Sequence, residues 1–214
     1  MLIAAVLLSA LCAYLLGSLN FGIIVSRLFY HKDIRQFGSG NAGMTNILRT
    51  FGKGAAAGVL CGDVLKGTVA ALLGRLFFTL LAPALAPVFG AYVAAVGALL
   101  GHLFPLYFGF KGGKGIAVAT GAIFVIHPVV ILTLIVVFLV IVVCSRIVSL
   151  GSVIVAALYP LLTGLYCAFF GAPAGTLWPQ VLFAAAIGGI VLYMHRANIK
   201  RLLAGTEYKF GQKK

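Results

Sequence analysis

The sequence predicts an all-α, polytopic membrane protein of about seven transmembrane helices, with its N-terminus outside and its C-terminus cytoplasmic. Three observations predict it. Of 214 residues, 63% are hydrophobic and only 9% charged, with a mean hydropathy of +1.16; a soluble domain of this size needs more polar surface. Long apolar stretches recur at about the 20 residues that cross a bilayer. Fourteen of the sixteen Lys and Arg residues fall in four clusters that alternating spans place on one side. These are Arg27 to Lys53 (five), Lys111 with Lys114 (two), Arg146 (one) and Arg196 to Lys214 (six). Only Lys66 and Arg75 fall outside them. This is the positive-inside pattern, and it sets the orientation.

Taken in order, Leu2 to Ser26 is the first span and Ala55 to Leu81 the second, with Asp63 and Lys66 in its inner half. Pro83 and Pro87 bracket an outer turn. Val88 to Phe108 is the third span, interrupted near its inner end by His102 and Pro105. Two short apolar pieces follow, Ile116 to Ile126 and Val129 to Cys144, broken at His127-Pro128. If Arg146 is inside, the two pieces go out and return as separate helices. The alternative merges them into one crossing and leaves Arg146 outside; the charge bias favours the seven-span arrangement. Ile147 to Phe170 then runs outward, Gly171 to Thr176 turns, and Leu177 to Met194 returns. His127 is read as an interfacial residue of the opposite face. The whole chain, 1–214, reads as a single membrane domain.

The net charge of +13 invites a nucleic-acid reading. A basic nucleic-acid binder is not mostly Leu, Val, Ala and Phe, so that partner is excluded. Anionic lipid headgroups and a small anionic substrate fit better. Cys12, Cys61, Cys144 and Cys167 sit singly in apolar surroundings, without CxxC or zinc-like spacing, and read as small buried residues. The first segment lacks the basic start of a signal peptide and is long enough to span.

Three polar segments carry the candidate chemistry. Gly112-Gly113-Lys114-Gly115 precedes an apolar helix. Glycines let backbone N–H groups approach an anion, the helix start adds partial positive charge, and Lys114 adds a full one. The bland alternative is a flexible turn whose lysines face water and headgroups. The loop lacks Walker A spacing. Gly38 to Lys53 combines Ser39, Asn41, Thr45, Asn46 and Arg49. Arg49 offers a bidentate phosphate clamp and the others offer neutral donors; structurally, Ser39 would simply cap a short helix in which Asn46 and Arg49 share a face. At the end of the last span His195, Asn198 and Arg201 recur at i, i+3, i+6, either as a site-facing stripe or as one facing headgroups. Glu207 reads as a partner for Arg or Lys rather than as a base. Asp63 and Lys66, three apart within a span, read as a mutual pair or as the floor of a site.

Together these segments resemble the bacterial acyl-phosphate:glycerol-3-phosphate acyltransferase family, an integral-membrane family that opens phosphatidic acid synthesis. The resemblance rests on Gly38-Ser39-Gly40-Asn41 with Thr45, Asn46 and Arg49; on Asp63, Lys66 and Gly67; on Gly101, His102 and Pro105 leading to Phe110, Gly112, Gly113, Lys114 and Gly115; and on His195 to Leu202 with Gly205 and Glu207. It runs end to end in order. Met44 departs from the usual Ala, and Val118 stands where a Thr often follows the glycine loop.

The resemblance implies about seven spans, a cytoplasmic-face site in the bacterial inner membrane, and no metal or coenzyme. It implies attack by the C1 hydroxyl of glycerol 3-phosphate on an acyl phosphate, giving 1-acylglycerol 3-phosphate (lysophosphatidic acid) and phosphate. It also implies catalytic parts for Ser39, Arg49, Lys114, His195 and Asn198. Substrate-binding parts fall to Asn41, Thr45, Asn46, Lys66, His102, Gly112, Gly113, Gly115, Arg201 and Glu207. A soluble enzyme that makes the acyl phosphate is a further partner this reading admits. No His is followed five positions on by Asp, so the His-x-x-x-x-Asp acyltransferase dyad is missing. His195 and the substrate's own phosphate both stay open as proton acceptors. The rival class is a carrier or channel for a small organic phosphate, which the one-sided polarity opposes. A scaffold or anchor leaves three dense polar motifs unexplained.

Overall fold

The computed structural model describes residues 1–211, and among these every regular element is helical; Lys213 and Lys214 of the last basic cluster lie outside the described residues. Ten α-helices follow in order: α1 (Leu2–Gly17), α2 (Phe21–Tyr30), α3 (Met44–Phe51), α4 (Lys53–Leu81), α5 (Val88–Leu103), α6 (Ile116–Ile126), α7 (Pro128–Ser145), α8 (Val148–Phe170), α9 (Leu177–Met194) and α10 (Arg196–Leu203). Among the described residues six segments are long and apolar enough to cross a membrane: Leu2–Tyr30, Lys53–Leu81, Val88–Phe108, Pro128–Ser145, Val148–Phe170 and Leu177–Met194. The expected seventh, Ile116–Ile126, forms as a helix of 11 residues, about 16 Å at the usual rise. Helix packing groups the chain into two compact units, Met1–Ile126 and His127 onward.

In the first unit α1, α4, α5 and α6 pack through small residues. Ala13, Ala70, Ala94, Ala98 and Val118 form one core cluster. A Cβ on Gly74 would overlap the Gly90 carbonyl of α5, and one on Gly67 would overlap the Val118 carbonyl of α6. In lipid, apolar side chains gain little by leaving the bilayer, so close backbone approach supplies the packing energy. The first span is not the continuous helix expected. It breaks at Ser18 to Asn20, where Asn20 Oδ1 caps α2 by accepting from Ile23 N at 3.2 Å. The break frees the Leu19 carbonyl, which Lys66 Nζ fills at 2.8 Å. Irregular backbone at membrane depth needs such a partner.

In the second unit α8 packs on α7 and on α9. Pro128 opens α7, where its missing N–H costs nothing. Val136, Leu139 and Val143 stand exposed along α7, an apolar face suited to lipid. His127, expected at an interface, is instead buried, its ring 4.9 Å from that of Tyr166.

Candidate functional site

The first polar segment is a loop wound around one side chain. Asn46, in the first turn of α3, is buried. Its Nδ2 donates to the carbonyls of Phe37 (2.9 Å), Asn41 (3.0 Å) and Ile34 (3.3 Å). Its Oδ1 accepts from Ser39 N at 3.0 Å. The amide is thus committed to the backbone, which corrects the expectation that it reaches a substrate. Ser39 does not cap α3 either; Gly43 holds the cap position, and Asn41 Oδ1 accepts from Gly43 N at 2.9 Å in a local turn. Ser39 and Arg49 are exposed and Thr45 half-buried, so Asn46 and Arg49 do not present one surface.

The glycine loop departs from its expected use. Gly112 N donates to Leu103 O at 3.0 Å, and Gly113 N to His102 O at 3.2 Å. Two of the amides expected to cradle an anion are therefore spent within the protein. The glycines serve close packing instead: a Cβ on Gly112 would overlap the His102 carbonyl, and one on Gly113 the His102 ring. Gly115 adopts φ +89° just ahead of α6, which favours glycine. Lys114 is half-buried and Lys111 exposed. His102 and Lys66, expected to bind substrate, are 3% and 4% exposed and lie inside the protein. Lys66 pairs with Asp63 at 2.7 Å, the mutual pairing their spacing allows.

Arg35 joins the turn ahead of the first loop to the start of the second, and the sequence reading missed it. Its Nη1 donates to Phe108 O at 2.6 Å and Lys111 O at 3.2 Å. Its Nε and Nη2 grip Asp33 at 3.0 and 2.8 Å, and Arg27 closes on the same carboxylate at 2.8 Å. The hydrogen bonds from Arg35 hold the Asp33 carboxyl well below the usual carboxylate range, against the upward push of burial. The available signal was the scarcity of acids. The chain has three, and each sits in an ion pair: Asp33 with Arg27 and Arg35, Asp63 with Lys66, and Glu207 with Arg201.

In the second unit His195 sits between α9 and α10 and is buried, its Nδ1 2.8 Å from Val191 O. A carbonyl only accepts, so Nδ1 carries the hydrogen and a neutral ring keeps Nε2 as its basic nitrogen. Asn198 Nδ2 donates to Glu207 Oε1 at 2.7 Å, Ser149 Oγ to the same oxygen at 2.9 Å, and Arg201 Nε to Oε2 at 2.7 Å. The stripe expected on α10 is therefore turned inward on Glu207 at two of its three positions. Burial pushes the Glu207 carboxyl up, but the bonds from Asn198, Arg201 and Ser149 outweigh it and leave it below the ordinary range. A carboxylate so held is a brace rather than a base.

Comparison with known proteins decides the class. The family model for glycerol-3-phosphate acyltransferase matches residues 7–205. The chain belongs to this family. It is 42% identical to a glycerol-3-phosphate acyltransferase of Clostridioides difficile over 205 residues, covering 96% of this chain and 95% of the relative. It is 43% identical to one of Bordetella pertussis over 204 residues, covering 94% and 90%. It is also similar to a crystal structure of PlsY (YgiH), an integral membrane glycerol 3-phosphate acyltransferase in its glycerol 3-phosphate form. There the TM-score is 0.78 and the identity 36%, with 96% of each chain covered. The lysophosphatidic acid form of PlsY gives a TM-score of 0.76 at the same identity. Membership of the family makes the chain an integral-membrane acyltransferase and decides against a carrier. It accords with the resemblance carried by the three polar segments.

Proposed function

We propose that this chain transfers an acyl group from an acyl phosphate to the C1 hydroxyl of glycerol 3-phosphate, at the cytoplasmic face of a bacterial inner membrane. The observation that carries the reading is the Arg35 bridge, which fastens the turn just ahead of the Ser39–Arg49 segment to the Phe108 and Lys111 carbonyls, while Asn46 binds the Ile34 and Phe37 carbonyls of that same turn. Two cationic segments gathered in this way suit two phosphate groups. Arg49 and Lys114 are assigned to phosphates, and Ser39 and Asn41 to the glycerol. In the second unit His195 is assigned to the reacting hydroxyl, with Asn198 as its neighbour on α10.

In the reaction the C1 oxygen forms a bond to the acyl carbon, and the bond from that carbon to the phosphate oxygen breaks. The electron pair leaves with inorganic phosphate; the hydroxyl proton passes to His195 or to phosphate. Acyl phosphate is a mixed anhydride with a good leaving group, so positioning and cationic stabilisation of the oxyanion supply most of what is needed. Seven spans with the C-terminus inside place the basic clusters on the substrate side, and the apolar faces accept the acyl chain from the inner leaflet. A soluble enzyme making the acyl phosphate would deliver it to that side.

Purified protein in detergent, given glycerol 3-phosphate with either acyl phosphate or acyl-CoA and no other protein, tests the proposal. Lysophosphatidic acid should form from acyl phosphate. Efficient turnover with acyl-CoA and none with acyl phosphate would overturn it.

A further inference from the structure

Beneath the glycine loop lies a buried polar cluster that touches no open surface. Lys66 Nζ lies 2.7 Å from Asp63 Oδ1 and 3.1 Å from His102 Nδ1, and donates to Leu19 O at 2.8 Å. His102 Nδ1 lies 3.5 Å from Asp63 Oδ1. The three residues are 1–4% exposed. They join α4, α5 and the break between α1 and α2. Burying an ion pair stabilises a fold poorly, and such pairs are better suited to fixing one arrangement among several. The arrangement fixed here is that of the His102 ring. Its Nδ1 edge faces the ion pair, and its Nε2 edge meets Gly113 so closely that a Cβ there would overlap it. Gly113 N bonds to His102 O, and Lys114 is the next residue.

We propose that Asp63, Lys66 and His102 form a positioning platform for the glycine loop, setting the height of Gly113 and thereby the aim of Lys114. None of the three would touch substrate. The inference rests on the assignment of Lys114 to a substrate phosphate. It requires glycine at 113 because the ring, not a ligand, occupies the space a side chain would need.

Full-length protein in detergent carries the test, with His102→Ala, His102→Gln, Gly113→Ala and the double variant His102→Ala/Gly113→Ala. Gly113→Ala should raise the KM for glycerol 3-phosphate by about tenfold, since misplacing a binding group by about 1 Å costs at least that much, while the KM for the acyl donor stays put. The double variant should be no worse than His102→Ala alone, because removing the ring makes room for the methyl. His102→Gln, which keeps an acceptor for Lys66, should lie nearer wild type than His102→Ala. Hydrogen exchange read over residues 109–115 should accelerate in His102→Ala without a matching change in α1 or α5. A double variant worse than His102→Ala by the same tenfold, or loop exchange unchanged in His102→Ala, would reduce the cluster to helix packing. If His102→Ala does not fold, the paired replacement Asp63→Leu/Lys66→Met removes both charges together and should loosen the same loop; unchanged exchange there would equally overturn the platform. Wild-type protein that makes no lysolipid would refute the functional reading, while the exchange measurement still decides the platform.

Discussion

Asn46 Oδ1 accepts a hydrogen bond from Ser39 N at 3.0 Å, so a side chain on α3 fixes the backbone of a residue seven positions earlier. The same amide gathers three carbonyls with its nitrogen. Asn46→Ala would strand the buried Ile34 carbonyl, at about 1–3 kcal/mol, and loosen three part-buried backbone groups. Asn46→Asp should be worse, because a carboxylate oxygen would face those three carbonyls. Both variants should lower thermal stability and cut acyl transfer more than tenfold, with Asp below Ala. Full activity in Asn46→Asp would show that the loop does not depend on this amide.

Arg49 and Lys114 differ from Asn46 in being at least partly open to solvent. Losing one partner of a desolvated charge pair costs about 2–5 kcal/mol. Arg49→Ala and Lys114→Ala should each lose at least tenfold in activity, with insertion and thermal stability near wild type. Arg49→Lys should recover little if the guanidinium binds a phosphate through two nitrogens, since an ammonium cannot reproduce that fork. Rates near normal in both alanine variants would make these residues headgroup contacts.

Much of this was legible in the sequence because membrane spans advertise themselves through length and hydropathy. The turn at 171–176 and the break at His127-Pro128 fall where Gly and Pro place them. The break at Leu19 was not legible, since it lies within an apolar run and is stabilised by Lys66 from 47 residues away. The partition of polar residues between binding and bracing was illegible for the same reason. Asn46 and Ser39 look alike in sequence, and only the loop's path shows that one faces inward. Gly113 reads as an anion cradle until the His102 ring is seen beneath it. Arg35 was passed over as one member of a basic cluster, although Asp33 two residues earlier marked it as a structured contact.

Glu207 links the second unit to pH. Its folded pKa lies below the ordinary value, so the unfolded chain binds its proton more readily. The stability it contributes is present above the ordinary glutamate pKa of about 4.3 and is lost as pH falls through the lower folded value. Glu207→Gln removes the charge but keeps an oxygen for Asn198. Thermal unfolding in detergent should show the variant less stable than wild type at pH 7 and the gap narrowing as pH falls through and below the mid-4s. A gap constant across that range would mean that Glu207 braces α10 by shape alone.

Phe210 N donates to Arg146 O at 2.7 Å, so the end of α7 and the tail beyond α10 share one end of the second unit. Between them α8, of 23 residues, and α9, of 18, run out and back, about 35 and 27 Å at the usual rise. Any topology that puts Arg146 outside must therefore carry Arg196, Lys200, Arg201 and Lys209 outside with it. That would strand most of the C-terminal basic cluster on the side positive charge avoids. We expect all of them inside, with the turn at 171–176 outside. Arg146→Cys, Lys209→Cys and Ala172→Cys, each in a background with the four native cysteines replaced, test this with a membrane-impermeant thiol reagent. In intact cells only position 172 should label, and positions 146 and 209 only after permeabilisation. Labelling of 146 and 209 together from outside would reverse the orientation and favour one crossing for the α6–α7 segment. Labelling of one without the other would contradict the shared end itself.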